Sequence, residues 1–291
     1  MSLNRLFPVC LAILGMATLT ATPSPAADEV RPVEDATLFK MEVKPNNSLP
    51  TIFLEGDSTV KVGTPGERGW GQELAPYFDL AKINLVNHAI GGRSSRTFQT
   101  EGRWDKSLAM VQKGDFVIFQ FGHNDGGAIN DNFRARASLK GNGEDTQEID
   151  NMLTRQHEIV HTYGWYMRKY VSDTKAKGAV PIVCSLIPRQ KWVDGKIARA
   201  SGDYGGWARE AAAQAGGLFV DLNEIIAEGY DAMGPAKVAP LFKEGPHTTV
   251  PGAQFNARCA VSGLKGLPGN PLAAYFSDAA RDVPAFPAAA H

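Results

Sequence analysis

The sequence predicts an α/β chain, a three-layer doubly wound domain with a mainly parallel five-stranded sheet. Two observations predict it. Short apolar runs recur at 51–54, 83–86, 116–121, 180–187 and 217–221, each flanked by turn residues and mostly without polar alternation. Runs of that kind fit strands buried on both faces, as parallel strands are. Between them, 68–80, 104–112, 155–178 and 203–216 have helical character, so strand and helix alternate as in successive βαβ units. Ligand sites in such sheets gather beyond the carboxyl ends of the strands. Chemistry-bearing residues are therefore to be sought just after each run.

The elements follow in order. Arg5 precedes a mostly apolar run from Phe7 to Leu19, closed by small residues and Ser24-Pro25-Ala26. This is the layout of a signal peptide cleaved after Ala26 and predicts a secreted or periplasmic protein. Cys10 lies too early in that run to be a lipidated cysteine. Residues 27–50 are a polar, proline-containing lead-in, 51–276 hold the α/β domain, and the Ala/Pro-rich tail 277–291 is expected to be flexible. No later run approaches the ~18 apolar residues of a membrane span, so no membrane contact is expected after cleavage. Lys and Arg number 30 against 31 Asp and Glu, a balance that carries no basic stripe for nucleic acid. Walker A and GxGxxG sequences are absent; Gly66-Glu67-Arg68-Gly69-Trp70-Gly71 has the wrong spacing. No cofactor is expected. Cys184 and Cys259 read as small buried hydrophobes, with a disulfide open to an exported chain. The segment 125–154 is polar, glycine-rich and long for a connection, which marks it as functional or disordered.

Four stretches carry chemistry. Gly56-Asp57-Ser58-Thr59 follows the first run, and its serine is a nucleophile only if a base reaches it. Gly91-Gly92-Arg93-Ser94 follows the second, and glycine lets a backbone N–H approach a ligand closely. Gly122-His123-Asn124-Asp125 follows the third, where the Asn124 amide can donate to developing negative charge. Its His123 and Asp125 do not complete a metallophosphatase pattern, and no metal is expected. Glu244-Gly245-Pro246-His247 precedes the last helix, with a carboxylate three residues before an imidazole it can orient. His157 and His161 have helical i, i+4 spacing without a third ligand, which suits packing.

Taken in order, Gly56-Asp57-Ser58, Gly92, Asn124 and His247 resemble the SGNH (GDSL) hydrolase superfamily. GWGQ at 69–72, GGRSSRTF at 91–98, EGRW at 101–104, FGHND at 121–125, HTYGWYMRKYVSD at 161–173 and DYGGWA at 203–208 are similar to the rhamnogalacturonan acetylesterases. The resemblance covers roughly residues 50 to 275. It implies a flavodoxin-like fold and a serine esterase acting on an acetylated polysaccharide of the plant cell wall. It implies Ser58 as nucleophile, His247 as base, and an oxyanion hole from the Ser58 and Gly92 N–H groups and the Asn124 side chain. The family carries Asp three residues before the histidine, where this chain has Glu244. Either the loop compensates for the extra methylene, or His247 relies on another acceptor.

A polymer bearing carboxylates calls for cations and flat apolar faces. Arg93, Arg96, Arg103 and Arg189, with Trp70, Trp104 and Trp192, are the substrate-binding candidates. Surface ion pairs and core packing are the competing roles for each. Other esters, such as acetylated xylan or small aryl and lipid esters, and a non-catalytic sugar-binding module are the alternatives to the pectin reading.

Overall fold

The apolar runs fold into a single sheet in the computed structural model, which describes residues 41–287. Its strands are β1 (Thr51–Gly56), β2 (Asn84–Asn87), β3 (Phe116–Gln120), β4 (Val180–Cys184) and β5 (Leu218–Val220). All pair in parallel, in the order β2-β1-β3-β4-β5. The order reverses between β1 and its neighbours, which opens a crevice at their carboxyl ends. The signal peptide and the first part of the lead-in lie outside the described residues.

Side chains alternate across each strand with period two. Ile52 and Leu54 of β1, with Ile118, Ile182 and Val220, face one layer built on α5 (Leu222–Met233), the short α6 (Pro235–Val238) and α7 (Val250–Lys265). Phe53, Val117, Phe119 and Val183 face the other layer, built on α1 (Ser95–Thr100), α2 (Arg103–Met110), α3 (Tyr163–Ala176) and α4 (Tyr204–Ala215). Burying one such Leu or Phe side chain is worth about 1.5–3 kcal/mol. Both faces are covered, so apolar residues fill the middle of each strand on both sides, and polar exceptions such as Glu55 and Gln120 are buried at the carboxyl ends. Cys184 and Cys259 are free and buried, and burial pushes both thiols up to about 12. No helix among the described residues is long and apolar enough to cross a membrane.

Three expectations need correction. Residues 68–80 form two short 3-10 turns, Trp70–Glu73 and Ala75–Tyr77, rather than a helix. His157–His161 is not helical either: it pairs antiparallel with Thr146–Asp150 inside the long connection. Val160 and Ile149 supply its buried side. Helix α3 begins only after Thr162, whose side chain caps the Trp165 N–H. The tail from Ser277 does not fray over the described residues. Ala280 and Val283 are buried in the core, and the Phe286 N–H donates to the Ser262 carbonyl of α7 at 3.0 Å.

Candidate active site

Strand β1 delivers Ser58 on a tight turn. The N–H groups of Val60 and Lys61 both donate to the Asp57 carbonyl at 3.1 Å, and Asp57 Oδ1 accepts from the Thr59 N–H and hydroxyl at 2.8 and 2.7 Å. Gly56 cannot carry a side chain here: a Cβ would meet Val60 Cγ2 at 2.6 Å and the Gln120 carbonyl at 2.7 Å. The turn is braced from behind. Gln120 of β3 donates to the Thr59 hydroxyl at 2.7 Å and accepts from Trp70 Nε1 at 2.8 Å. Burial raises the Asp57 carboxyl to about 6.

The loops after β2 and β3 close around this turn. The Ile90 N–H donates to the Gly56 carbonyl at 3.0 Å, which sets Gly91 against Ser58. Gly92 follows with φ +82°, a conformation that L side chains rarely adopt. Its carbonyl accepts from Arg136 Nη1 at 2.9 Å. Asn124 is buried, and its amide donates to the Arg93 carbonyl at 3.0 Å. Asp125 turns away from the cleft to accept from Ser95 and Ser138, and burial raises it to about 6. His123 beside it is held down to about 3 by burial, with Arg189 and His247 adding to the effect, so its ring is neutral.

His247 sits in a two-strand hairpin, Phe242–Glu244 with His247–Thr248, just before α7. Its Nε2 lies 2.8 Å from Ser58 Oγ. A hydroxyl at that distance from an imidazole nitrogen can pass it a proton. Two carboxylates approach the other ring nitrogen. Glu244 Oε1 is 4.0 Å from Nδ1 with its side chain 76 % exposed. Glu67 Oε1 is 3.6 Å away with its side chain 5 % exposed. Neither distance is a formed hydrogen bond, and Nδ1 is buried without a partner.

Ser58, Gly91, Gly92, His123, Asn124 and His247 line one open cleft of about 440 Å³. Of the candidate substrate residues, only Arg189 joins them. Trp70 and Trp104 are 1 % exposed; the first braces the nucleophile turn and the second donates to Asp173 at 2.9 Å. They are core residues, not sugar platforms. Arg96 is 0 % exposed and forks onto Glu158 at 2.6 Å, while giving its Nη1 to the carbonyls of Ile129 and Ala137. It anchors the long connection instead of reading substrate. Arg93 and Arg103 share Glu101, and Arg103 is buried against a separate cleft. Trp192 is half-buried in a small hairpin, packed on the core. The cleft also holds three charged residues the sequence does not single out: Glu67, Arg134 and Arg136. The length and glycine content of 125–154 signal the two arginines; Glu67 lies in a motif whose spacing matches nothing.

A five-stranded parallel sheet with a serine and an imidazole 2.8 Å apart beyond its carboxyl edge is the arrangement of a hydrolase of the SGNH type. The model of the GDSL-like lipase/acylhydrolase family matches residues 55–254, and the chain belongs to that family of carboxylic ester hydrolases. It is 32 % identical over 227 residues to a protein of Emericella nidulans named rhamnogalacturonan acetylesterase, covering 77 % of this chain and 89 % of that one. It is 30 % identical over 227 residues to a Bacillus subtilis protein named probable rhamnogalacturonan acetylesterase YesY, covering 75 % and 94 %. The fold is similar to that of the solved Bacillus subtilis protein YxiM, with a TM-score of 0.60 at 24 % identity. That match covers 75 % of this chain and spans 56 % of the YxiM chain.

Proposed function

We propose that the chain is an exported serine esterase that removes acetyl groups from a plant cell-wall polysaccharide, with rhamnogalacturonan as the substrate. The observation that carries this reading is the 2.8 Å approach of Ser58 Oγ to His247 Nε2 inside an open cleft. Ser58 Oγ attacks the acetyl carbonyl carbon as His247 Nε2 takes its proton. The carbonyl electrons move onto oxygen, where the N–H groups of Ser58 and Gly92 and the Asn124 amide stabilise the oxyanion. Collapse breaks the bond to the sugar oxygen, which leaves with the proton from His247. Water then attacks the acetyl-enzyme by the same route and frees acetate and Ser58.

Arg134, Arg136 and Arg189 support the substrate class. Three guanidinium groups lining one cleft suit a polymer with a carboxylate on alternate sugars, since arginine pairs a carboxylate in a planar fork. The named relatives point the same way. Export rests on the apolar N-terminal run of the sequence.

An organophosphate is expected to label Ser58 covalently and abolish activity; an unlabelled serine would overturn the mechanism. Acetate release from a panel of acetylated rhamnogalacturonan, acetylated xylan and 4-nitrophenyl acetate decides the substrate. Arg189→Ala is expected to raise KM on acetylated rhamnogalacturonan about ten-fold or more, the worth of one charged contact of 1.5–3 kcal/mol, while leaving 4-nitrophenyl acetate nearly unaffected. Activity on xylan or aryl esters with none on rhamnogalacturonan would refute the pectin assignment.

A further inference from the structure

We infer that Glu67, and not the expected Glu244, is the carboxylate that orients His247. The inference rests on the reading of Ser58 and His247 as nucleophile and base. When Nε2 faces Ser58 to accept its proton, the neutral ring carries its hydrogen on Nδ1, and that hydrogen needs an acceptor. Nδ1 is buried and unpartnered, so the free protein leaves this donor waiting. Only two carboxylates lie within 4.0 Å of it among the described residues.

Distance and burial both favour Glu67. Its Oε1 is 3.6 Å from Nδ1, against 4.0 Å for Glu244, and its side chain is 5 % exposed against 76 %. Water screens an exposed carboxylate and leaves it free to change rotamer, so a pair of the Glu244 kind contributes little. A carboxylate out of water acts on the imidazolium through a lower effective dielectric. Catalytic hydrogen bonds are commonly long in the unliganded state and tighten with substrate, and a closure of well under 1 Å brings Glu67 into hydrogen-bond range.

The backbone explains why Glu67 stays there. The next residue, Arg68, donates its N–H to the Thr248 carbonyl at 2.8 Å, and the Thr248 hydroxyl returns a bond to the Arg68 carbonyl at 2.8 Å. These two bonds join the residue after Glu67 to the residue after His247. Two residues further, the Trp70 N–H donates to the Thr59 carbonyl at 3.0 Å. Carboxylate, imidazole and serine turn are thus held on one continuous frame. Glu244 pairs with His247 across the hairpin through its backbone, but its side chain stands in solvent. Sequence position explains the surprise: Glu67 belongs to the loop after the nucleophile, far from the carboxylate-histidine spacing that draws attention to Glu244.

The test compares Glu67→Gln and Glu244→Gln by kcat and KM on 4-nitrophenyl acetate, with melting temperature as a control. The other charged groups around the cleft are Arg134, Arg136 and Arg189, and they are the same in both variants. Glu67→Gln is expected to lower kcat by about ten-fold or more with KM little changed. Glu67→Asp, which keeps the charge, should recover part of the lost kcat. Glu244→Gln should stay within about two-fold of the parent. A Glu244→Gln variant that loses kcat at unchanged KM overturns the inference, even if Glu67→Gln does not fold. So does a folded Glu67→Gln with the parent kcat. Ser58→Ala separates the two readings: if it retains turnover the Ser58–His247 mechanism is wrong, whereas an inactive Ser58→Ala beside an unaffected Glu67→Gln rejects only the role of Glu67.

Discussion

Replacing Asn124 with alanine removes one of three proposed donors to the oxyanion and leaves the other two, both backbone N–H groups, in place. The side chain is well prepared for that work. One amide hydrogen is committed to the Arg93 carbonyl at 3.0 Å, which fixes the plane of the amide, and the residue is buried on the wall of the cleft that holds Ser58. In the proposed role, the remaining N–H would meet the developing charge without first giving up rotational freedom. Loss of one such donor costs on the order of 10²–10³ in kcat, about 2.7–4 kcal/mol. KM should change little, because the neutral carbonyl of the bound ester draws far less on the donor than the oxyanion does. Loss of the bond to Arg93 should cost about 1 kcal/mol of stability, small enough to leave the protein folded. The assay is saturation kinetics on 4-nitrophenyl acetate, normalised to the fraction of enzyme titrated by organophosphate, with a denaturant melt in parallel. Asn124→Asp should be at least as slow as Asn124→Ala, since a carboxylate would repel the oxyanion. An alanine variant within about five-fold of the parent, or an aspartate variant faster than the alanine one, would refute the assignment.

Two further outcomes follow from buried charges. Arg96→Met should destabilise the fold by about 3 kcal/mol or more, because it strands Glu158 beside the core; a urea midpoint corresponding to less than about 1 kcal/mol would mean the pair is dispensable. Asp57 and Asp125 have folded-state values raised to about 6 by burial, above the ~3.9 of an unfolded chain. Between about pH 4 and pH 6 the folded state holds the extra protons, so their contribution to stability is present below pH 4 and is lost as pH rises through 6. Asp57→Asn, neutral at every pH, should therefore gain on the parent by up to about 3 kcal/mol between pH 4 and pH 7. Melting curves at both pH values check it; a difference independent of pH would contradict the raised value.

The central sheet is legible in the sequence because burial on both faces leaves uninterrupted apolar runs such as Phe116–Phe119. Motifs placed after those runs meet in space for the same topological reason, and Ser58 reaches His247 across a separation of 189 residues. The antiparallel pair at 146–150 and 157–161 hides because seven of its ten residues are polar and only Ile149 and Val160 are buried, a pattern that fits either period. Trp70, Trp104 and Arg96 mislead because aromatic rings and guanidinium groups serve interiors as readily as ligands, and composition does not record which side of a helix they occupy. Glu67 is the hardest case. Its nearness to His247 depends on a backbone bridge between Arg68 and Thr248, a relation with no local signature.

The hydrogen bond from Arg136 to the Gly92 carbonyl also bears on how this enzyme can diverge. The same guanidinium that lines the Ser58 cleft steadies the peptide presenting a proposed catalytic N–H, and Ser94 in turn donates to the Arg136 carbonyl at 2.6 Å. On the proposed roles of Arg136 and Gly92, specificity and turnover are fastened to one another at this point. A loop transplanted from a relative with a different diet would bring new contacts to the sugar chain and at the same stroke unfasten Gly92. Successful swaps should be those that bring along an equivalent clasp, and the long connection should drift more freely at its outer hairpin than at Arg136.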